Sequence, residues 1–517
     1  MSYISSSLSS LEFPKYFVRR SAHDVVMKAL DDGFRDVIVH SDMANGKTSF
    51  LKGVACDLIK KGNRVFWMER EGVDVQEDYD NLLSISEPLV LIFENVVRHL
   101  KDVKYLRLRA KNNLTIIGSS KSVFYENKNE ELQDAFLGNG HFEVDLDHLN
   151  ESEIKQLSDI FSQYKFWAEK DALPEYQKID FLTYNCNSSF GSILLEIIKS
   201  PNIQSRFSSL FQMYEDEDGL GDILTTASVL TLLNFDVTDF FVLELTGNNY
   251  IYKSGFRSNP TTKEIFNVSN GKIIPKSSVL AKFALTNHSD SKKIVDRLIK
   301  IAKRAHDLRG FAGFEGLFFD IYKSLVTFSV LQSMLPEKGK RDSLIRFYEN
   351  VKNFEAAKNH PHFWLQYAIA RLAYDDPDDL TKAKLYLDTA YSHAKRIGDR
   401  YHTNHMDNVH ARYLMKHGIQ TEDADNAIVD FRQAHAILLR QARNEKNEKP
   451  YRVARLYSQL FQRRFDELSH AERIEIQIAA QQLITAANHV RVSGRNRETI
   501  NHCRRDLESI VRTKWTN

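Results

Sequence analysis

The sequence has few of the features that mark secreted, metal-binding or membrane-embedded proteins. Its 517 residues include only three cysteines. Cys56, Cys186 and Cys503 lie far apart, without the short spacing of a metal site, and they fit a reducing cytoplasm. No apolar run approaches the ~18 residues that a membrane-spanning helix needs, and residues 1–11 lack the apolar core of a signal peptide. We therefore expect a cytoplasmic protein with no membrane contact.

A strong charge of either sign is also missing. The net charge is +1, which favours neither a dedicated nucleic-acid-binding protein nor an acidic tail. The segment from Phe431 to the end nevertheless has more Lys and Arg than Asp and Glu. A solvated helical face is the simpler interpretation of that basic segment, and contact with phosphate backbones is the alternative. The ordinary apolar content, 42%, in a chain of this length predicts about three or four domains.

The most informative stretch is residues 37–49. A β-branched apolar run stops there at a small polar turn, and the turn closes with the Gly-Lys-Thr of residues 46–48. The apolar stripe that follows predicts a helix over residues 49–61. Strand, turn and helix in this order are the context that a Walker A phosphate loop requires. Ser41 stands where such a loop usually has its first glycine.

This loop offers ligands to a phosphate chain. A helix N-terminus presents unpaired N–H groups and a positive dipole, Lys47 can reach the outer phosphates, and the Thr48 hydroxyl can bind Mg²⁺. The sequence therefore predicts ATP or ADP with Mg²⁺ as ligands, against the alternative of a strand–turn–helix that carries Gly-Lys-Thr by chance. The predicted nucleotide-binding residues of the loop are Ser41, Met43, Ala44, Asn45, Gly46, Lys47, Thr48 and Ser49.

Alternating strands and helices around the loop predict a doubly wound α/β P-loop domain with a parallel sheet. Further strands are predicted at residues 64–68, 89–95, 114–121 and 142–146. Residues 89–93 are wholly apolar, as expected for a strand buried on both faces. An N-cap signature at residues 150–153 opens the next helix.

Glu94 and Asn95 end the strand predicted at residues 89–95. A carboxylate in this place can hold the Mg²⁺ hydration shell or orient the attacking water, so Glu94 is a predicted catalytic residue and, with Thr48, a predicted metal ligand. Lys47 and Asn95 complete the predicted catalytic set. Many such ATPases have a second acid where Asn95 stands. Because one carboxylate cannot easily perform both tasks, we expect tight binding and slow hydrolysis.

The fourth strand ends in Ser119, Ser120 and Lys121. A polar or cationic group at this strand end can sense the terminal phosphate of a nucleotide in the neighbouring loop. Ser120 and Lys121 are therefore the predicted phosphate sensors. An ordinary turn from strand to loop is the alternative.

The middle of the chain predicts helices and then a hairpin. Residues 150–220 read as helices without a metal or nucleophile constellation. Residues 264–275 alternate around Asn270-Gly271, a hairpin turn signal, and helices followed by a hairpin resemble a winged helix. Such an element can bind DNA or form an interdomain lid. The candidate recognition helix, residues 238–246, has little positive charge, so we favour the lid.

The last part of the chain predicts helices only, with an internal repeat. The spacing of small and aromatic residues matches a tetratricopeptide helix pair and recurs 44 residues later, which predicts a degenerate TPR-like array with an apolar core. The first set is Tyr367, Ala370, Tyr374, Ala383, Leu387 and Ala390, and the second is Ala411, Leu414, Ala427, Phe431 and Ala434. Four nearby histidines, at 402, 405, 410 and 417, fall on different helix faces and do not predict a metal site.

These patterns divide the chain into five predicted segments. They are a disordered N-terminus at 1–12, a P-loop nucleotide-binding domain at 13–149, a helical lid at 150–220, a winged-helix-like domain at 221–288 and an all-α TPR-like sensor domain at 289–517.

This order of parts resembles the STAND class of P-loop ATPases, signal-transducing switches that include bacterial antiphage sensors and immune receptors. Residues 17–20 are similar to the class's Phe-Val-Gly-Arg, with Arg19 in place of Gly, and this resemblance places Arg20 near the adenine. Residues 89–95 resemble its Walker B strand, and residues 116–121 resemble its sensor strand. Lys276 and Ser277 replace an Arg-His pair that many members contribute to the phosphates.

The resemblance implies an ATP-binding switch in prokaryotic antiphage defence or signalling. It implies a trigger, protein or nucleic acid, that binds the helical C-terminal domain, and ATP-dependent homo-oligomerisation that activates an effector. Only about 20 residues precede the nucleotide domain, so we expect the effector to be a separate chain or part of a longer protein. Two alternatives stay open: an ATP-dependent, DNA-associated regulator that uses the winged helix and the basic tail, and an interaction scaffold locked with ADP.

Overall fold

The computed structural model describes most of the chain. The described residues are 17–68, 75–110, 113–127, 129–137, 141–198, 201–216, 219–269, 271–287, 290–312, 314, 316–374, 376–398, 401–444, 447–490 and 494–513. The predicted disordered segment 1–12 and Asn270 of the predicted hairpin turn lie outside them. Two compact units divide the chain, the first formed by Met1–Leu243 with Asn248–Leu285 and the second by Glu244–Gly247 with Thr286–Asn517.

The first unit contains a five-stranded sheet in the order β2-β3-β4-β1-β5. All four pairings are parallel, which confirms the predicted α/β fold. The loop after β1 therefore emerges at the carboxyl edge of the sheet, between the ends of β4 and β5. The strands are β1 Asp36–His40, β2 Arg64–Met68, β3 Leu89–Phe93, β4 Leu114–Ser120 and β5 Phe142–Asp145.

Helices cover both faces of this sheet, and β1 shows why its sequence is apolar throughout. Val37 and Val39 belong to an apolar cluster with Val54 of the helix after the phosphate loop. Ile38, which points to the opposite face, belongs to a cluster with Val103. Successive residues of a strand alternate between faces, so a strand covered on both sides must be apolar at every position.

The helices of the first part of the chain follow the predicted order, with some differences. Between β3 and β4 the chain forms a 3₁₀ turn, Val96–Arg98, and then a separate helix, Leu100–Arg109. The short helices α5, α6, α13 and α14 below were not predicted. The helices are α1 Ala22–Asp31, α2 Lys47–Lys60, α3 Gln76–Leu83, α4 Leu100–Arg109, α5 Ser122–Asn127, α6 Asn129–Ala135, α7 Glu151–Gln163, α8 Glu175–Asp180, α9 Phe190–Ile198, α10 Pro201–Asp216, α11 Leu220–Leu233, α12 Asp239–Thr246, α13 Ser254–Ser258, α14 Pro260–Ile265 and α15 Ser278–Thr286.

The predicted hairpin is present as β6 Phe266–Ser269 and β7 Lys272–Pro275, an antiparallel pair. Thr238, just before α12, forms an isolated bridge with Lys272 of β7. The Ile273 N–H also donates to the Val237 carbonyl at 2.8 Å. The hairpin is thereby tied to the segment that joins α11 to α12. Assignment of this region as a winged helix stays a prediction.

The second unit is helical in its described residues. The repeat-like aromatic and small residues form its core: Tyr367, Ala383, Ala411 and Phe431 are all at most 1% exposed, so the predicted core role is confirmed for them. The helices are α16 Ser291–Asp307, α17 Leu317–Leu325, α18 Phe328–Met334, α19 Lys340–Val351, α20 Glu355–Lys358, α21 Pro361–Leu372, α22 Pro377–Ile397, α23 Asn404–Gln420, α24 Ala424–Asn444, α25 Lys449–Ala454, α26 Leu456–Arg464, α27 His470–Ala487 and α28 Gly494–Arg512.

Candidate functional site

The predicted phosphate loop joins β1 to α2 and folds around its own lysine. The Lys47 ammonium donates to the Ser41 carbonyl at 2.7 Å, the Ser41 hydroxyl at 3.0 Å and the Asp42 carbonyl at 2.9 Å. Gly46, at the N-cap of α2, has φ +82°, a left-handed conformation that glycine adopts without cost. The loop therefore curves around the lysine at the N-terminus of α2.

Ser41, the departure from the usual glycine, has its own contacts. Its buried hydroxyl accepts from Lys47 and donates to the Asp42 carbonyl at 2.9 Å. Burial lowers the pKa of Lys47 to about 8, although the carboxylates of Asp147, Asp42 and Glu94 act in the opposite direction. The lysine thus donates to two main-chain carbonyls and to the serine hydroxyl, and no carboxylate accepts these hydrogen bonds.

Asp147, which the sequence analysis did not single out, supports the loop from β5. One carboxylate oxygen accepts from the Asp42 N–H and from the Asn45 side chain at 3.0 Å, and the other accepts from the Ser122 hydroxyl at 2.8 Å. The Asp-Leu-Asp of residues 145–147, at the end of the predicted strand 142–146, was the available signal. Asp147 fixes the start and the middle of the loop relative to the sheet.

Asn45 also connects the loop to the beginning of α9. Its side-chain oxygen accepts from the Ser189 hydroxyl at 3.1 Å and the Gly191 N–H at 2.8 Å. A Cβ on Gly191 would lie 2.5 Å from the Met43 carbonyl oxygen, so only glycine permits this approach. The beginning of α9 therefore contacts the predicted phosphate loop. The Asn45 side chain, 2% exposed, makes this contact.

A buried polar chain lies beneath the loop at the ends of β1 and β5. His40 contacts the Ser122 hydroxyl through Nδ1 at 3.0 Å and the Glu143 carboxylate through Nε2 at 2.9 Å. Burial lowers the pKa of His40, but the Glu143 contact outweighs it and the pKa is raised. His40, Asp145 and Asp147 form the one group of three potential metal ligands in the described part of the chain. Hydrogen bonds within the protein already engage both His40 nitrogens and both Asp147 oxygens.

Glu94 lies at the carboxyl end of β3, and its Oε1 is buried without a hydrogen-bond partner among the described residues. Leaving a buried carboxylate oxygen unpaired is costly, so this atom fits a ligand that brings its own positive charge. Mg²⁺ binds oxygen donors such as this carboxylate and the Thr48 hydroxyl. The two residues fit the predicted Mg²⁺, which in a nucleotide site would neutralise phosphate charge.

Asn95 adopts φ +59°, a left-handed conformation in which Asn is several-fold enriched. Its N–H donates to the Ser119 hydroxyl at 3.4 Å. A Cβ on Gly118 would lie 2.6 Å from the Val96 Cβ, which shows how closely this turn packs on β4. Asn95 therefore lies in the turn after β3, beside the end of β4, rather than at the end of the strand itself, and it has a conformational role that the sequence did not reveal.

The predicted sensor Lys121 donates to the Leu232 carbonyl and, at 3.4 Å, to the Thr231 carbonyl, both in the last turn of α11. Burial, together with the nearby charges of Lys47 and Arg98, lowers its pKa to about 7. The charge of Lys121 therefore interacts with that of Lys47 in the loop, and its ammonium is hydrogen-bonded to the C-terminal end of α11. The adjacent Ser120 is buried, and its hydroxyl donates to the Lys121 carbonyl at 3.2 Å.

Arg20 forms a buried ion pair with Glu153 at 3.0 Å and donates to the carbonyls of Leu146 and His148. Glu153 is also the third residue of the capping box of α7. Arg20 therefore joins the residues before α1 to β5 and α7, and its predicted position near the adenine stays a prediction. The remaining loop positions, Met43, Ala44, Thr48 and Ser49, are partly or fully exposed.

Within the described residues, no helix is long and apolar enough to cross a membrane. No family model and no curated protein matches the chain. Among solved structures, the chain is similar to a signal transduction ATPase with numerous domains (STAND) that has a tetratricopeptide repeat sensor, from Pyrococcus horikoshii, at 14% identity. The similarity covers 96% of this chain and 86% of that chain with a TM-score of 0.28.

Proposed function

We propose that this chain is an ATP-binding molecular switch of the STAND type, with ATP or ADP and Mg²⁺ bound at the loop after β1. One observation carries the proposal: Lys47 is wrapped by its own loop at the N-terminus of α2, at the carboxyl edge of a parallel sheet. This arrangement presents N–H groups, a helix dipole and an ammonium to one small volume. A polyphosphate is the ligand that such a volume suits.

In the proposed catalysis, Glu94 orients the attacking water or holds the Mg²⁺ shell, and Asn95 lacks the charge to share that work. Hydrolysis is therefore slow, and the lifetime of the ATP-bound state sets the duration of the signal. Bound Mg²⁺ would supply neutralisation of the phosphate charge. Lys121 and Ser120 sense the terminal phosphate from the end of β4.

The second unit is the proposed trigger-binding domain, and α27 shows a suitable surface on it. Ile474 and Ile478 are exposed on this helix, the latter at 54%. Beside them lies a cavity of about 430 Å³ lined in part by Arg443, Gln481 and His489. A trigger that binds here in only one conformation of the protein would shift its nucleotide preference by linkage. ATP-dependent self-assembly and an effector, in antiphage defence or signalling, complete the proposed function.

The basic tail gives little support to the DNA-associated alternative. Arg464 is 4% exposed, and its guanidinium donates to the carbonyls of Gly418 and Ile419 and pairs with Glu467. It therefore stabilises the C-terminal end of α23 rather than facing solvent. Arg491, another residue of the tail, lies outside the described residues.

The experiment is the mass of the purified protein in solution with ATP–Mg²⁺, with ADP, and for Lys47→Ala. We expect a discrete oligomer only with ATP. Lys47→Ala removes a charged hydrogen bond to phosphate, so ATP affinity should fall about a hundredfold and assembly should stop. Lys52→Ala, on an exposed face of α2, is the matched control and should assemble normally.

Unchanged ATP affinity in Lys47→Ala would contradict the nucleotide site itself. Normal ATP binding without assembly would contradict the self-assembling switch and leave a binding protein. Tightly retained ADP that never exchanges would favour the scaffold alternative. The rate of exchange of a fluorescent nucleotide separates the last two results.

A further inference from the structure

The turn after β3 is fixed against the end of β4. The missing side chain at Gly118 lets Val96 approach β4, and the Asn95 N–H donates to the Ser119 hydroxyl. The same turn ends in Arg98, which neither the sequence motifs nor the predicted catalytic set includes. Two adjacent strand ends therefore each supply a cation, Arg98 after β3 and Lys121 after β4.

Both cations engage the same end of one helix. The Lys121 ammonium donates to the carbonyls of Thr231 and Leu232 in the last turn of α11. The Arg98 guanidinium lies over the ring of Phe235, 4.2 Å from its centroid. Phe235 follows α11 by only two residues, so a single structural element receives both contacts.

The end of α11 suits a cation for a definite reason. The last carbonyls of a helix lack partners within it, and they carry the negative end of the helix dipole. Here the Phe235 N–H donates to the Leu230 carbonyl, and the Asn234 N–H donates to those of Leu230 and Thr231. For the Leu232 carbonyl, the contact with Lys121 supplies the hydrogen bond. The negative end of the α11 dipole thus attracts the Lys121 ammonium.

These cations also lie close to the phosphate loop. The Ser41 N–H of the loop donates to the Ser120 carbonyl at 3.3 Å, and the Ser122 N–H donates to the Ser41 carbonyl at 3.2 Å. Lys121 lies between Ser120 and Ser122, and the charges of Lys47 and Arg98 both disfavour its charged form. Positive charges held near one another attract an anion. The phosphate chain predicted at Lys47 would bring such an anion to the same edge of the sheet.

We propose that Arg98 is a further phosphate-binding residue, and that the terminal phosphate of ATP competes with the C-terminal end of α11 for Arg98 and Lys121. The inference rests on the proposed function, because it requires nucleotide at Lys47. ADP lacks the terminal phosphate and leaves both contacts with α11 in place. ATP draws the two cations away, and the segment from Thr231 to Phe235 is released. Nucleotide recognition is thereby coupled to the hairpin region, which is tied to the residues after Phe235.

The test compares ATP and ADP affinities, both with Mg²⁺, across three variants. Arg98→Gln should weaken ATP about tenfold and leave ADP unchanged, as expected for one lost charged contact. Phe235→Leu removes the competing ring without touching nucleotide, so ATP should bind about three- to tenfold tighter and ADP as before. Arg109→Gln is the matched control, because Arg109 lies at the same 4.2 Å over the Tyr105 ring and should change neither affinity.

A second measurement needs no variant. Amide hydrogen exchange at residues 232–237 should be faster with ATP–Mg²⁺ than with ADP, because release of α11 breaks the Phe235 and Asn234 hydrogen bonds. Equal protection in both states, or an unchanged ratio of ATP to ADP affinity in Arg98→Gln and Phe235→Leu, would overturn the inference while leaving the nucleotide site intact. Unimpaired nucleotide binding in Lys47→Ala would instead overturn the proposed function, and the inference with it.

Discussion

The two lysines of the candidate site in the first unit are paired differently from Arg371, a buried cation of the second unit. In the helical unit, Arg371 donates to the Asp379 carboxylate at 2.6 Å, and both side chains are almost fully buried. Burial lowers the pKa of Arg371, but Asp379 and Tyr367 outweigh it and the pKa is raised. In the α/β unit, Lys47 and Lys121 donate to uncharged carbonyl oxygens, and burial lowers their pKa values to about 8 and about 7.

The difference separates structural charges from functional ones. A buried cation with a carboxylate partner is complete, and removal of either partner leaves an uncompensated charge. A cation whose hydrogen bonds go only to uncharged oxygens gains further when an anion arrives, and strongly shifted pKa values of this kind cluster at functional sites. The pairing of Arg371 thus indicates a stabilising role, whereas the pairing of Lys47 and Lys121 fits the phosphate-binding roles proposed for them.

The largest expected effect follows from breaking the structural pair. Asp379→Ala removes the hydrogen-bonded carboxylate from buried Arg371 and leaves only Glu349, at 3.6 Å, which should lower the free energy of unfolding by about 3–5 kcal/mol. Urea denaturation followed by circular dichroism measures the loss. Asp378→Ala is the control on the same helix turn, since Asp378 forms an exposed pair with Lys382 and should cost about 0.5 kcal/mol or less. Equal losses in the two variants would contradict the comparison.

A smaller loss of stability is expected for Asp147, whose carboxylate accepts hydrogen bonds from the loop instead of pairing with a cation. Asp147→Ala takes the carboxylate acceptor from the Asp42 N–H and the Ser122 hydroxyl, and it leaves the Asn45 amide only the main-chain carbonyl of residue 147, at 3.4 Å. We expect a loss of about 2–3 kcal/mol in stability, by the usual cost of buried unpaired donors, and a several-fold weaker nucleotide affinity. Thermal unfolding and nucleotide titration test the two parts. Asp134→Ala, in an exposed pair with Lys104, should alter neither.

Much of the first unit could be predicted because local sequence and global fold agree there. A few consecutive residues determine each of three features: the apolar strands, the Gly46 turn and the Asn150 capping box. The structure contains all three. The core positions of the repeat array follow from helical spacing in the same way. These features depend on neighbours in the chain.

The parts that were missed depend on partners far away in the sequence. Asp147 reaches residues 42, 45 and 122, and Gly191 matters only because the Met43 carbonyl approaches it. Lys121 was predicted as a phosphate sensor, but its contact with α11 spans more than a hundred residues. No spacing rule connects such positions, so only the folded chain reveals them.

A third prediction concerns the missing second acid at the phosphate site. Asn95→Asp restores a carboxylate beside Glu94 at a left-handed position that Asp also tolerates. We expect single-turnover ATP hydrolysis about tenfold faster, below the roughly 10²–10⁴-fold that an optimally positioned acid–base group contributes, and an ATP affinity changed less than threefold. Asn95→Gly keeps the left-handed backbone without a side chain and should not accelerate hydrolysis. An unchanged rate in Asn95→Asp would place the limit on hydrolysis elsewhere.

The smallest expected effect sharpens the contrast between carbonyl-bound and carboxylate-bound cations. With folded-state pKa values of about 8 and about 7, Lys47 and Lys121 are partly neutral at pH 8 in the free protein. A bound phosphate favours their charged forms, so nucleotide binding at pH 8 should take up about one proton, whereas binding at pH 6 should take up almost none. Calorimetry in two buffers of different ionisation enthalpy measures the uptake, and Lys121→Met should reduce it by roughly half.

The same shifts fix the sign of the stability change with pH. Both folded-state pKa values lie below the ordinary lysine value, so between about pH 7 and pH 10 the unfolded chain binds more protons than the folded one. The contribution of these lysines to the stability of the free protein therefore rises with pH over that range. The groups facing Lys47 are Asp147, Asp42 and Glu94. Equal proton uptake at pH 6 and pH 8 would mean that the carbonyl-bound lysines are fully charged before phosphate arrives, and the distinction from Arg371 would then rest on geometry alone.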